Sequence, residues 1–175
     1  NLGRIGRVWR EVVPLVQRGI ADAPESVFNF EKMVAPDSIA AIRQRARTEA
    51  AVPKAAWLEE SGWSESSMAA TTHFVVADAA GNIVCATQSL SLHFGAGVVP
   101  PGTGVVLNDS MSNFAFHDPD SLNYVAPGKR PRSTIAPTLV LRAGRPVLAI
   151  GIPGASRIHA ALLQALLDRL ALDRP

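Results

Sequence analysis

The sequence predicts a layered α+β fold, antiparallel hairpins covered by helices. Three observations predict it. Apolar residues recur at helical spacing up to residue 47. Two strand–turn–strand patterns follow, at 72–90 and 138–152. A last apolar stretch, 156–171, returns to helical spacing.

Residues 4–18 place Ile5, Val8, Trp9, Val12, Val13 and Val16 on one helical face. Pro14 is expected to kink or end the first part, because it lacks an N–H and its ring crowds the preceding turn. Residues 24–34 read as a loop or short helix, with Phe28, Phe30 and Met33 as packing residues. Pro36-Asp37-Ser38 opens a second helix, running from Ile39 to about Arg47. Ile39 and Ile42 point inward there; Arg43, Arg45 and Arg47 form a solvated face or an anion site. Residues 48–70 hold Pro53, Gly62 and scattered hydroxyl residues without a period, as an extended surface linker would.

At residue 71 the pattern changes. Thr72, Phe74 and Val76 alternate with His73, Val75 and Ala77, as in a strand. Asp78-Ala79-Ala80-Gly81-Asn82 is a hairpin turn, and Ile83–Leu90 is the returning strand. The near-continuous apolar start of that strand predicts burial on both faces. Residues 91–104 are a loop rich in Gly and Pro, Val105–Asn108 a short strand, and 109–129 a long loop of the kind that carries function. Thr138–Arg142 and Pro146–Ile152 form a second hairpin turned at Ala143-Gly144. Gly151–Ser156 is a strand-to-helix turn. The last helix aligns Ile158, Leu162, Ala165, Leu166 and Leu170.

Composition bounds the function classes. At 47% hydrophobic and 18% charged the chain is too apolar for disorder. A net charge of +2 implies no nucleic-acid footprint, and no apolar run spans a bilayer. Cys85 has no partner for an intramolecular disulfide and reads as a structural thiol in a strand. The four histidines lack paired ligand spacing, and there is no CxxC. His73 reads as a packed or hydrogen-bonded histidine, and Asp118-Pro119-Asp120 as a turn. Gly128-Lys129 lacks the remaining residues of a phosphate loop, and Gly95-Ala96-Gly97 lacks a third glycine and a following helix. The run Lys129-Arg130-Pro131-Arg132 is a solvated loop or a site for one carboxylate.

Two features carry chemistry. Gly154-Ala155 opens the last helix directly after an apolar strand, where unpaired N–H groups and the helix dipole favour negative charge. Such a turn can serve as an oxyanion hole, although a plain strand-to-helix turn is the simpler reading. Thr71 heads a strand after a loose linker. A threonine hydroxyl needs a base to attack an amide. A free α-amine on the same residue, with a pKa near ~7.7–8.0, can take that proton. From the residues alone, a threonine pair starting a strand remains the simpler reading.

The order of the motifs alters that balance. Thr71-Thr72-His73-Phe74, Asp78-x-x-Gly81-Asn82, Gln88-Ser89-Leu90, Phe94-Gly95-x-Gly97, Gly102-Thr103-Gly104 and Leu107-Asn108 come first. Pro127-Gly128-Lys129-Arg130-Pro131, Pro137-Thr138 and Pro153-Gly154-x-Ser156-Arg157 follow. Together they resemble the small subunit of γ-glutamyltranspeptidases, strongly over 71–170 and more weakly before. No single motif is specific; the set is.

The resemblance implies the αββα sandwich of N-terminal nucleophile hydrolases, here in part. It implies a fragment: residues 1–47 as the helical tail of the large-subunit region, 48–70 as the processing linker, and 71–175 as the small-subunit region, short of its C-terminal end. It implies a precursor that cuts itself between Ala70 and Thr71 into a heterodimer. The activity implied is attack on γ-glutamyl amides such as glutathione, with transfer of the acyl group to water or an amino acid. No metal or organic cofactor is implied. A periplasmic or secreted location is implied, with the cytoplasm left open.

By the same resemblance Thr71 is the nucleophile, and Ser89 replaces a threonine that hydrogen-bonds it. Gly154 and Ala155 stand for a Gly-Gly oxyanion pair, the alanine keeping its N–H provided the backbone angles suit it. Ser133 and Thr134 stand for a serine pair that binds the glutamate α-carboxylate. The pocket for the α-amine departs from the family. Ser91, Ser110 and Asn113 occupy positions where Asn, Gln and Asp are usual. Asn113 removes the negative partner of an ammonium group, a loss on the order of several kcal/mol when the pair is buried. Relatives with such changes include cephalosporin-acylase-like and oxamate-hydrolysing enzymes, so an acylase of the same mechanism is the alternative. A non-catalytic relative that kept the fold is the rival from another class.

Overall fold

The computed structural model describes residues 2–23, 30–48 and 70–172. Most of the 48–70 linker, and the residues 24–29 with Phe28, lie outside them. The chain divides into two compact units, one of residues 1–64 with 113–132, the other of 65–112 with 133–175.

The first unit contains α1 (Leu2–Gly19), α2 (Phe30–Met33) and α3 (Pro36–Thr48). α1 packs on α3, and Val13, Ile42 and Ala46 are buried. Pro14 does not end α1, which continues to Gly19. A proline removes one rung of the ladder, and packing of the apolar face against a second helix offsets that loss. Ile39 remains partly exposed. The arginine face of α3 is only partly solvated, because Arg45 pairs with Glu11 of α1. Arg7 Nε donates to the Ala46 carbonyl at the same junction.

The second unit holds two antiparallel hairpins and a helix. β1 (Thr71–Ala77) pairs with β2 (Ile83–Ser89), aligning Thr71 with Ser89 and Ala77 with Ile83. Asp78 closes the turn: its carboxylate accepts the Asn82 N–H at 2.8 Å and the Asn82 side-chain amide at 2.7 Å. Gly81, at φ 87°, takes the left-handed position the turn requires. β2 is not buried on both faces, contrary to its apolar run: Val84 is 58% exposed and Val76 across from it 56%. The turn end of this hairpin is open, and the Thr71–Ser89 end is half-buried.

β3 (Thr138–Arg142) pairs with β4 (Arg145–Ile150), with a register irregularity at Val140/Leu141. Ala143 and Gly144 both have positive φ, 50° and 76°, as a two-residue hairpin loop demands. β2 packs on β4, and Cys85 Sγ lies 3.6 Å from the carbonyls of Thr138 and Ile150. α4 (Ile158–Ala171) follows a single 3-10 turn, Ala155–Arg157. Its far end lies by the second hairpin, where Arg142, Val147, Leu148, Arg169, Leu170 and Ala171 line one cleft. Hairpin, hairpin and helix are thus successive layers. Ile158 and Leu162 are buried as the spacing predicts, whereas Leu170 is half-exposed on the rim of that cleft. Val105–Asn108 forms no strand; Leu107 ties it to the preceding loop, its carbonyl accepting from Ala96 N–H and its N–H donating to the Val98 carbonyl. No helix among the described residues is long and apolar enough to cross a membrane.

The Asp78 turn predicts acid sensitivity. The Asn82 side-chain amide, then the Asn82 backbone N–H, holds the Asp78 carboxyl below its ordinary 3.8. A lowered folded-state pKa stabilises above the unfolded value, and the increment disappears as pH falls through the folded value. Thermal unfolding of the full-length protein should therefore lose stability below pH 3.8, with a shallower acid limb in Asp78→Asn.

Candidate active site

The hairpin register puts two hydroxyls side by side. Thr71 Oγ1 and Ser89 Oγ are 2.9 Å apart, both residues half-buried. The same β1–β2 ladder extends one residue outward. Leu90 N–H donates to the Ala70 carbonyl at 3.1 Å, and Ala70 N–H to the Ser91 carbonyl at 3.2 Å. Ser89 Oγ accepts the Ser91 N–H at 2.9 Å and lies 3.3 Å from the Ala70 carbonyl oxygen. Ser91 adopts φ 71°, a left-handed conformation uncommon for a residue with a Cβ. It turns the chain back so that both its N–H and its carbonyl face the Ala70–Thr71 end of the hairpin. Asp109 N–H donates to the Leu90 carbonyl, which sets Ser110 close by in the chain.

Two residues along β1, His73 joins this strand to the next turn. Its Nδ1 is 2.7 Å from Thr87 Oγ1, and its Nε2 is 3.7 Å from Cys85 Sγ. The ring lies directly against Gly151; a Cβ there would come within 2.2 Å of it. The Gly151–Ala155 turn is therefore anchored against the strand that begins with Thr71. In that turn Gly154 has φ 140° and Ala155 φ 49°. Ala155 keeps its N–H in a left-handed conformation, at a cost of about 1 kcal/mol or more for a residue with a Cβ. Neither the Gly154 nor the Ala155 N–H has an acceptor among the described residues. Burial pushes His159, in the first turn of α4, below its usual imidazole value.

The other residues singled out from sequence are less closely gathered. Ser133 is exposed and Thr134 half-buried in the segment before β3; Ser133 Oγ accepts the Ile135 N–H at 3.2 Å. No hydrogen bond joins either to Thr71 among the described residues. Asn113 ends a 3-10 turn, Ser110–Asn113, and is grouped with the first unit.

In that unit Asn123 is a residue sequence reasoning missed. It is 1% exposed; its amide donates to the Asn113 carbonyl at 2.7 Å and its Oδ1 accepts the Arg132 N–H at 3.3 Å. It thus ties both ends of the loop, and Ala115 N–H donates to its backbone carbonyl. An isolated Asn in a polar loop gives no sequence signal of that role. The basic run beside it does meet one carboxylate, that of Asp22. Arg130 binds it through N–H and Nε at 2.8 and 3.1 Å, and holds it below its usual value. Among the described residues no group of His, Cys, Asp and Glu is placed to hold a metal.

A threonine heading one hairpin, a second hairpin packed on the first and a helix beyond define a class, and solved relatives identify it. γ-Glutamyltranspeptidase from Pseudomonas nitroreducens complexed with L-DON is 36% identical with a TM-score of 0.56, over 59% of this chain and 58% of that one. A mutant of the Helicobacter pylori γ-glutamyltranspeptidase is 31% identical with a TM-score of 0.53, over 59% and 61%. The fold is α+β, of the N-terminal nucleophile hydrolase type. The gamma-glutamyltranspeptidase profile matches residues 15–175, and the chain belongs to that family. Acylase ACY 1 proenzyme from Pseudomonas sp. strain SE83 is 46% identical over 62% of this chain. Glutathione hydrolase proenzyme from Bacillus subtilis strain 168 is 41% identical over 55%. The matched segments span only 19% and 16% of those two proteins.

Two substitutions test the turn. Gly151→Ala should displace the His73 ring and destabilise the full-length protein by about 1–3 kcal/mol, read by denaturant unfolding. Ala155→Gly should act oppositely: it keeps the N–H, relieves the left-handed strain and raises the melting temperature without loss of activity.

Proposed function

We propose that this chain carries the catalytic centre of a self-processing threonine-nucleophile amide hydrolase and acyltransferase acting on γ-glutamyl amides such as glutathione. The observation that carries the reading is the 2.9 Å pairing of Thr71 Oγ1 with Ser89 Oγ at the head of β1. Cleavage between Ala70 and Thr71 would free an α-amine on the residue that bears the hydroxyl. That amine takes the hydroxyl proton as Thr71 Oγ1 attacks the substrate carbonyl, and returns it to the leaving amine. The Gly154 and Ala155 N–H groups, lacking acceptors of their own, receive the oxyanion. Water or an acceptor amine then takes the acyl group from Thr71. Ser133 and Thr134 offer hydroxyls for the substrate α-carboxylate, and the family resemblance assigns Ser91, Ser110 and Asn113 to the α-amine. The working enzyme in this reading is the heterodimer of the two cleaved parts.

One observation favours a second reading at the same centre. Asn113 offers no negative charge to an α-ammonium group, and the relative that is 46% identical is named an acylase. That enzyme would take amides whose acyl part lacks the α-amine.

Intact-mass analysis of the full-length protein should show a fragment beginning at Thr71. Thr71→Ala should remain uncut and lose about 10⁴-fold or more of the amidase activity. A wild-type chain that stays whole would instead mark a non-catalytic relative. Turnover of γ-glutamyl-p-nitroanilide should exceed that of glutaryl-p-nitroanilide, which differs by the missing α-amine, by at least about tenfold. The reverse ranking assigns the acylase.

A further inference from the structure

One buried side chain closes the loop between residues 113 and 132, and the two groups it holds belong to the two ends of that loop. We propose that Asn123 is a positioning residue for substrate recognition. It fixes the spacing between Asn113, which the family resemblance gives to the substrate α-amine, and the Ser133-Thr134 pair, which it gives to the α-carboxylate. This rests on the γ-glutamyl reading above and deepens it.

Asn123 is 1% exposed. Its backbone N–H donates to Ser121 Oγ at 3.2 Å, and its backbone carbonyl accepts the Ala115 N–H at 3.0 Å. Its Nδ2 donates to the Asn113 carbonyl at 2.7 Å, and its Oδ1 accepts the Arg132 N–H at 3.3 Å. A primary amide carries donor and acceptor on one rigid plane. The backbone at 113 and the backbone at 132 are therefore held one amide group apart. Neighbouring contacts stiffen both ends. Phe114 is 7% exposed and meets Phe116 edge-on at 6.4 Å, and Lys129 Nζ donates to the Leu122 carbonyl. Neither a leucine nor a carboxylate can replace the amide. Leucine offers neither group, and an ionised carboxyl lacks the donor for the Asn113 carbonyl.

The ends so fixed carry side chains that can reach a ligand. Asn113 is exposed, and its own side-chain amide makes no hydrogen bond among the described residues. Ser133 follows Arg132 directly and is exposed as well. Its Oγ accepts the Ile135 N–H, which leaves the hydroxyl hydrogen for an anion. The neutral Asn113 offers an ammonium group an amide oxygen, a weaker hold than a carboxylate gives. Two modest contacts gain over one only where both are held beforehand at the ligand's own spacing. Otherwise the cost of ordering the loop on binding offsets the second contact. Asn123 supplies that spacing from a buried position, without touching the substrate.

The test uses the full-length, self-cleaved protein and three p-nitroanilides: γ-glutamyl, with both head groups; glutaryl, without the amine; and γ-aminobutyryl, without the carboxylate. Asn123→Leu should raise KM for the γ-glutamyl compound by about tenfold or more, with kcat within about threefold of wild type. For the two single-group compounds kcat/KM should stay within about threefold of wild type. Asn123→Ser, whose short side chain spans neither partner and leaves room for water, should show the same pattern even if the leucine variant does not fold. A merely structural role would lower turnover of all three compounds alike. Equal losses on the three, or no loss on the γ-glutamyl compound, in a protein whose wild type prefers that compound, overturn the spacing role alone. A wild type that stays uncut at Thr71, or that turns over the glutaryl compound faster, overturns the γ-glutamyl reading and the spacing role with it.

Discussion

The register of the β1–β2 hairpin governs everything built on it. Side chains alternate across a strand, so a slip of one residue would send Ser89 to the opposite face and leave Thr71 beside a neighbour without a hydroxyl at that position. The register is set at the far end, six residues away, where Asp78 binds Asn82 by two hydrogen bonds and Gly81 takes a left-handed angle. An exposed turn thus determines which groups meet at the half-buried end. The ladder carries that alignment past Ser89 to Leu90 and Ser91, which hold Ala70 from both sides.

The second hairpin depends on the first through close backbone approach. Cys85 faces the carbonyls at the ends of β3 and β4, and His73 fills the space a side chain at Gly151 would need. The turn that follows then has little freedom. It places positive φ angles at Gly154 and Ala155, strained at the alanine alone, and leaves two N–H groups without acceptors among the described residues. Backbone strain at such a point persists only where surrounding packing holds it. Here the buried Ile158 and Leu162 of α4 anchor one side and His73 the other.

The loop from Asn113 to Arg132 is organised differently. Asn123 holds the carbonyl of Asn113 and the N–H of Arg132 from a buried position, so a loop without strands keeps a defined course. A buried amide with its groups satisfied specifies a conformation that a hydrophobic residue would not. The ion pair of Asp22 with Arg130 adds a solvent-exposed tie within the same unit. In the proposed function the reaction comes from Thr71 and its neighbours.

By itself the sequence determined the helices at both ends, the two hairpins with their turns, and the order of motifs that marks Thr71. These are local features: periodicity, Gly and Asn in turns, and spacing along the chain. The tertiary structure decided what local pattern cannot contain. Apolar alternation does not reveal which neighbour covers a strand, so Val84 read as buried and is exposed. Helix propensity alone stops α1 at Pro14, while packing on α3 carries it to Gly19. The meeting of Ser89 with the Ala70 carbonyl, of His73 with Gly151, and of Asn123 with Asn113 joins residues that are distant in the chain. Such contacts exist only once the backbone has closed, and they are where the proposed chemistry resides.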